Sequence, residues 1–343
     1  MIIKVLKKLI KKENLSENEI SSIMKEIMEG GLTDAQTSAF LTALRMKGET
    51  IEEITSCVKL LQEKAIKLNI DKDIIDIVGT GGDGANTFNI STATAFVVAS
   101  SGVAVAKHGN RAASSKSGST DVLEALGAYI YLNADENKEI LDKTNICFMH
   151  APIYNPTLKN ALKVRSEIKI RTIFNMLGPL INPSCAKKQL IGVYDKNLVE
   201  PTAHVMANLG IKNGMTVFGE CGLDEASIEG KTFYAEIKDG NIKTGEFSPL
   251  DFNIKEASLD EIKGGSPYEN AEIIKGIFQN KIQGAKKDVV VLNAALAFYI
   301  AGKTNSIKDG IDFAQSLIEN GSAENKLNEF IETTKRYEDE YSE

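Results

Sequence analysis

Several common constraints are missing from this chain. Its four cysteines, Cys57, Cys147, Cys185 and Cys221, are scattered and form no CxxC pair, and a chain of 343 residues needs no disulfide framework. There is no excess of basic charge: 40 Lys and Arg stand against 47 Asp and Glu, a formal net charge of -7, which argues against a broad polyanion-binding surface and hence against nucleic acid as a partner. No apolar run is long enough for a membrane span and no apolar leader is present, so the expectation is a soluble cytoplasmic protein. No GxxxxGK[ST] segment occurs, which leaves a nucleoside triphosphatase loop unsupported, and neither an internal repeat nor a low-complexity tract is visible.

What is present is concentrated between Asp73 and Asp121. A glycine-rich turn, Gly79-Thr80-Gly81-Gly82-Asp83-Gly84, is followed by Asn89-Ile90-Ser91-Thr92, then by Lys107-His108-Gly109-Asn110-Arg111 and Ser114-Ser115-Lys116-Ser117-Gly118-Ser119. Glycines permit tight turns in which amide N–H groups converge on an anion, hydroxyls add donors, and Lys107 and Arg111 bring local positive charge. Two such loops, each after an apolar run, predict a ligand with more than one phosphate group.

At 43% hydrophobic residues the chain can bury a substantial core, and its length suggests two domains. Residues 1–68 read as helical. Ser16 with Glu19, Thr33 with Gln36 and Thr50 with Glu53 are three capping boxes before apolar stripes such as Ile20, Ile23, Ile27 and Ile54, Val58, Leu61, and Gly30-Gly31 and Gly48 supply the stops. The lysine-rich run from Lys4 to Lys12 has helical spacing and reads as a solvated face.

From Asp73 onward strands alternate with helices. Strands are expected at 74–78, 103–106, 146–148, 190–193, 215–218 and 289–292, with helices at 91–100 and 120–126, the latter closed by Gly127. That pattern predicts an α/β fold with a mostly parallel central sheet, whose ligand site lies at the strands' carboxyl ends. The boundaries expected are a helical domain at 1–68, with a segment near 172–188 as a candidate completion, and an α/β catalytic domain at 73–343.

The glycine turn formally matches GxGxxG, yet Asp83 sits inside it and no ribose-binding acid follows at the expected distance. A carboxylate beside phosphate is repulsive unless a sugar hydroxyl, a water or a cation mediates. Asp224-Glu225, after an expected strand, is the best acidic pair to hold magnesium against ligand phosphates; the plainer alternative is an acidic pair starting a helix.

These residues resemble the anthranilate phosphoribosyltransferase family over almost the whole length, most densely from Asp76 to Asp195. The likeness is carried by the glycine turn, Phe88-Asn-Ile-Ser-Thr92, Lys107-His-Gly-Asn-Arg111, Ser119-Thr-Asp-Val-Leu-Glu-Ala-Leu-Gly127, Arg171-Thr-Ile-Phe-Asn-Met-Leu-Gly-Pro-Leu-Ile-Asn-Pro183 and Leu223-Asp-Glu225. The resemblance implies a nucleoside phosphorylase/phosphoribosyltransferase-like fold, a homodimer formed through the helical parts, and a site in the cleft between domains. It further implies transfer of a phosphoribosyl group from phosphoribosyl pyrophosphate (PRPP) to anthranilate with two magnesium ions per subunit, in tryptophan biosynthesis, with anthranilate synthase as a candidate pathway partner.

Carried over by position, Gly79, Gly82, Asp83, Thr87, Asn89, Ile90, Ser91 and Thr92 would hold PRPP, and Ser91 would also ligate one magnesium ion. Lys107, His108, Gly109, Asn110, Arg111, Ala112, Ala113, Ser114, Ser115 and Ser119 would complete the phosphate contacts, and Asp224 and Glu225 would ligate the second ion. Asn110 and Arg165 would bind anthranilate, the arginine facing its carboxylate, with Gly178-Pro179 lining the aromatic site. Lys107, Asn110, Arg111 and Arg165 are the catalytic candidates. His108 suits either an acid/base or a packing role.

The departures lie on the acceptor side: Asn155 stands where the family commonly has histidine, His150 where it has an aromatic residue, Ile168-Lys169 where it has Leu-Gly, and Thr120 where it has alanine. Two other readings are a pyrimidine nucleoside phosphorylase, against which the Lys-His-Gly-Asn-Arg and Gly-Pro-Leu-x-Asn-Pro segments speak, and a catalytically weak relative binding nucleic acid or protein, against which Ser91, Asp224, Glu225 and the acidic net charge speak.

Overall fold

The computed structural model describes residues 1–112 and 116–342; Ala113, Ser114 and Ser115, three of the expected donor contacts, lie outside the described residues. Four helices open the chain, α1 (Ile2–Ile10), α2 (Glu17–Met28), α3 (Asp34–Lys47) and α4 (Ile51–Lys64). All three capping boxes form: Ser16 Oγ accepts from Glu19 N–H at 3.3 Å, Thr33 Oγ1 from Gln36 N–H at 3.2 Å and Thr50 Oγ1 from Glu53 N–H at 3.2 Å. Each satisfies amide donors that a helix start leaves free. Gly48 ends α3 at φ +90°, and Gly30 follows α2 at φ +72°. α1 buries Ile2, Val5 and Leu9 and turns its lysines outward, where Lys8 pairs with Glu19 at 2.8 Å.

The remainder runs β1 (Ile74–Gly79), α5 (Ile90–Ser100), β2 (Ala104–Gly109), α6 (Ser119–Leu126), α7 (Ala134–Thr144), β3 (Ile146–His150), α8 (Ala151–Tyr154), α9 (Lys159–Ile168), α10 (Phe174–Leu180), β4 (Lys188–Gly192), α11 (Val199–Asn208), β5 (Asn213–Gly219), β6 (Thr232–Lys238), β7 (Asn241–Phe247), α12 (Pro267–Phe278), α13 (Ala285–Ala301), α14 (Ile307–Glu319) and α15 (Ser322–Ser342). Among the described residues the strands form one sheet in the order β3-β2-β1-β4-β5-β6-β7. β3 to β5 are parallel, as the alternation of strands and helices requires, and β6 and β7 add an antiparallel edge. In register Gly79 faces Gly192 and Lys107 faces Phe148, so the ends of β1, β2, β4 and β5 open on one rim.

One apolar cluster covers the sheet with α5, α12, α13, α14 and α15, centred on residues such as Ile77, Phe96, Val105 and Phe298. A second joins α1 to α4 with Val164 of α9, Leu177 of α10 and Met206 of α11 against Ile191 of β4. α9 and α10 thus pack in the helical layer although the chain has already built three strands before reaching them. No helix among the described residues is long and apolar enough to cross a membrane.

One sequence expectation needs correction, and one element went unread. Val289 to Leu292 is not a strand but lies within α13, each residue fully buried. A helix buried on nearly every face has no polar stripe, and its apolar run imitates a central strand. The β6–β7 hairpin was not anticipated, although its signal was present: Asp239-Gly240 with φ of +50° and +81° makes the two-residue, doubly left-handed turn that hairpins favour.

Candidate active site

The glycine turn leaves β1 beside the segment that leaves β5. Asp224 Oδ2 accepts from Gly81 N–H at 2.6 Å, and a Cβ at Gly79 would meet the same oxygen at 2.5 Å. Gly192 is equally constrained, since its Cβ would fall 1.5 Å from the Asp224 carbonyl oxygen. Glycine at 79 and 192 therefore makes room for Asp224. Asp83 Oδ1 accepts from Ala85 N–H at 3.1 Å, and its other oxygen lies 3.5 Å from Asp224 N.

Three carboxylates, Asp83, Asp224 and Glu225, consequently crowd one rim. Asp224 and Glu225 are 8% and 7% exposed. Burial, together with the neighbouring Asp83 and Glu225 charges, pushes Asp224 well above the usual carboxylate range. Burial also raises Glu225 to about 7, against the opposing pull of Lys107. Glu225 sits at the N-terminus of α5 and accepts from the Ser91 amide and hydroxyl, as an anion at a helix start should.

Lys107 is buried beneath this cluster. Its Nζ donates to the Ile77 carbonyl at 2.5 Å and to Ser91 Oγ at 3.2 Å. Burial lowers its pKa, while Asp76, Glu225 and Asp224 raise it. Asp76 is fully buried in β1 and raised by burial to about 6; it accepts from Gln189 Nε2 at 3.4 Å. Sequence reasoning assigned Asp76 no role, although a charge inside an apolar strand is itself a signal.

The second loop is stitched by its own polar groups. Asp121 Oδ2 accepts from Ala112 N–H at 2.9 Å and Gly118 N–H at 2.8 Å, and the Asn110 carbonyl accepts from Ser119 Oγ at 3.4 Å. A Cβ at Gly118 would strike the Ala112 nitrogen at 2.4 Å, and one at Gly109 the Ser119 hydroxyl at 2.2 Å. Asn89 Oδ1 accepts from Ser117 Oγ at 3.2 Å and Asn270 Nδ2 at 2.9 Å, so Asn89 ties α12 to both loops; nothing in the sequence singled out Asn270. Thr87 bridges to Lys263, while Ile90 and Thr92 are buried, the Thr92 hydroxyl without a hydrogen-bond partner. Arg111 is turned away from the rim: its guanidinium pairs with Asp121 at 2.8 Å and Glu124 at 2.7 Å and donates to Tyr131 Oη at 2.5 Å.

On the acceptor side, Arg165 on α9 stacks over Phe174 at 5.4 Å, and no carboxylate among the described residues pairs with it. Burial lowers its pKa. A half-buried guanidinium without a carboxylate partner, facing an aromatic ring, is suited to a planar aromatic carboxylate. A Cβ at Gly178 would project into open space, which leaves that face of α10 free to line a ligand.

Three of the departures from the family pattern make side-chain contacts. Asn155 Nδ2 lies 3.3 Å from His108 Nε2, and Thr120 Oγ1 lies 3.0 Å from His150 Nδ1. Burial lowers His108 to about 4, despite a hydrogen bond to the Gly178 backbone. His108 is thus neutral near pH 7 and acts as a seam between β2 and the acceptor segment.

Whether this rim suits a metal follows from its donors. They are all oxygen, and the raised carboxyls show a local excess of negative charge that a hard divalent cation would relieve. Among the described residues no three His, Cys, Asp or Glu side chains are already set as a metal-holding group, so Ser91, waters and ligand oxygens would complete the shell.

Two family models match the chain, the glycosyl transferase family helical bundle domain over residues 3–65 and the glycosyl transferase family a/b domain over residues 71–324. The chain is 48% identical to the anthranilate phosphoribosyltransferase of Ruminiclostridium cellulolyticum over 99% of both chains. It is 47% identical to that of Methanobrevibacter smithii over 97% of this chain and 99% of the relative. Among solved structures, the anthranilate phosphoribosyltransferase of Thermus thermophilus superposes with a TM-score of 0.91 at 36% identity, covering 96% of this chain and 99% of that one. The Saccharomyces cerevisiae enzyme, solved in complex with PRPP and Mg, gives 0.91 at 30% identity over 98% of each. With a helical bundle, a mostly parallel sheet and near-complete likeness in sequence and structure, the chain belongs to the anthranilate phosphoribosyltransferase family.

Proposed function

We propose that this chain transfers the 5-phosphoribosyl group of PRPP to the amine of anthranilate, giving N-(5-phosphoribosyl)anthranilate and pyrophosphate, the second step from chorismate to tryptophan. The observation that carries this reading is the meeting, on one sheet rim, of a glycine turn, a helix N-terminus, a buried lysine and a buried carboxylate pair, with an unpaired arginine on the helical side.

The aromatic amine is neutral near pH 7 and nucleophilic, so no covalent protein nucleophile is needed. Its nitrogen bonds to the anomeric carbon as the bond to pyrophosphate breaks, and the nitrogen then loses a proton to solvent. The chain's task is to position both substrates and to receive charge on the leaving group. The turn from Gly79 through Asp83, the α5 start at Ser91 and the loop from Lys107 to Ser119 hold the donor. Lys107 lies beneath it, donating to Ile77 and Ser91, and Arg111 is released from Asp121 and Glu124 to reach phosphate. Arg165 reads the anthranilate carboxylate, with Asn110 beside it and Gly178-Pro179 against the ring. Ser91, Asp224 and Glu225 would hold magnesium, with Asp83 alongside, and bound magnesium supplies charge neutralisation on pyrophosphate.

We also take residues 1–68 and 73–343 as the two domains, with a segment near 172–188 completing the helical one. Ile3, Ile10 and Met46 are exposed on α1 and α3, which supports a homodimer through the helical domain. A cytoplasmic location and a pathway contact with anthranilate synthase accompany this reading. The test is turnover with PRPP, magnesium and anthranilate, followed by loss of anthranilate fluorescence. No turnover despite normal PRPP binding would move the chain to a phosphoribosyltransferase with another acceptor.

A further inference from the structure

The segment between α9 and α10 carries a basic residue that the reaction as proposed does not use. Arg171 Nη2 donates to the carbonyl oxygen of Gly82, and its Cζ stands 4.2 Å over the ring of Tyr194. Tyr194 lies just beyond β4 and is 6% exposed, so the platform under the guanidinium is fixed. Behind it stand Arg45 and Glu49 at the end of α3, whose charges both act on Tyr194. The Glu49 side chain is 5% exposed, with one oxygen 3.5 Å from Arg45 and the other buried without a hydrogen-bond partner.

The glycine turn needs such an anchor. Gly81, Gly82 and Gly84 all have positive φ, between +68° and +80°, and a glycine turn has more conformational freedom to lose than any other. Its long-range polar ties are Thr80 N–H on the Gly192 carbonyl at 2.9 Å, Gly81 N–H and Asp83 Oδ2 on Asp224, and Gly82 C=O on Arg171, the last being the tie that reaches the helical side. Asp224 belongs to the crowded acidic rim and is expected to exchange partners when the site fills, whereas Arg171 stands outside it. Because a trans peptide is planar, holding the Gly82 carbonyl toward Arg171 aims the Asp83 N–H the opposite way.

We propose that Arg171, seated on Tyr194, is a positioning residue that presets the glycine turn for the donor's phosphates from the helical side. The inference rests on reading this turn as the PRPP site. Arg171→Ala is expected to raise the PRPP Kd, measured calorimetrically, and the PRPP KM about tenfold, with the anthranilate KM changed less than about twofold. Its Tm should match wild type, since the side chain is exposed. Arg171→Lys should recover part of the loss, because an ammonium can donate to Gly82 but lacks the planar face that stacks on Tyr194. Tyr194→Phe should behave as wild type and Tyr194→Leu should reproduce part of the defect. Unchanged PRPP constants in Arg171→Ala, beside a wild type that binds PRPP, overturn the inference alone. So does an equal rise in both KM values or a lowered Tm, which would mark a general structural role. A wild type that does not bind PRPP overturns the phosphoribosyl reading, and the inference with it.

Discussion

Glu53 in the helical layer and Glu225 at the sheet rim are hidden almost equally, 1% and 7% exposed, but they keep opposite company. Glu53 accepts from Lys47 Nζ, Leu15 N–H and Thr50 N–H, each at 2.8 Å, so its charge is met from every side. Glu225 has Ser91 and Lys107 in its favour and Asp83 and Asp224 against it. A buried charge that is fully paired makes one local geometry far better than its alternatives, whereas a buried charge among like charges holds free energy that a bound cation can release. The first arrangement favours one fold, and the second suits the cation binding proposed for the rim.

The contrast can be broken at either end. The largest effect is expected from Glu53→Ala, which strands Lys47 and should destabilise the fold by about 3–5 kcal/mol in denaturant unfolding while PRPP KM in the folded fraction stays unchanged. A loss below about 1 kcal/mol would mean that the pair does not organise the helical layer. Next comes the rim: Asp224→Asn with Glu225→Gln should lower kcat by about 10²- to 10³-fold at saturating magnesium, yet leave Tm unchanged or raised, because repulsion is removed. A fall in Tm comparable to that of Glu53→Ala would erase the distinction between the two regions.

Arg165 sharpens the comparison from the acceptor side, as a half-buried cation without a carboxylate partner among the described residues. Arg165→Ala should weaken anthranilate binding by about 2 kcal/mol and leave PRPP binding intact. Equal kcat/KM for amines with and without the carboxylate would remove Arg165 as its reader. The smallest effect concerns His108, whose folded pKa of about 4 lies below the ordinary 6.5. The unfolded chain therefore binds the proton more readily, and His108 subtracts stability as pH falls from about 6.5 toward 4. In His108→Gln, urea unfolding between those pH values should lose that part of the slope, and turnover near pH 7 should keep its pH profile, since the imidazole is already neutral there. A turnover profile that shifts with the variant would instead favour the acid/base role.

Much of this contrast was open to reading in advance, and unevenly so. Ser16, Thr33 and Thr50 announced three helix starts because capping is settled within four residues. The glycine turn and Asp224-Glu225 were expected to lie near one another as a phosphate and cation site, and the structure brings them together through Gly81 N–H on Asp224. Asp76, Asn270 and Arg171 were not, since each acts through a partner distant in the chain: Gln189, Asn89 and Gly82. Val289 to Leu292 misled because uniform burial erases the periodicity that separates helix from strand. Thr120, His150 and Asn155 were visible as separate departures; only contact pairs Thr120 with His150 and sets Asn155 against His108.

By itself the sequence determined much of the local geometry of this protein: where the capped helices of the first layer start and where glycine is required for a turn. Those are properties of short stretches, governed by backbone sterics and the reach of a side chain within one or two turns. Tertiary structure alone decided the charge states and the direction of the long side chains. Burial lifts Glu225 to about 7 and lowers His108 to about 4, and Arg111 turns to Asp121 and Glu124 while Arg171 crosses to Gly82. Desolvation and Coulomb interaction depend on what surrounds a group in space, and that is settled only when the strands and the helical layer close around the rim.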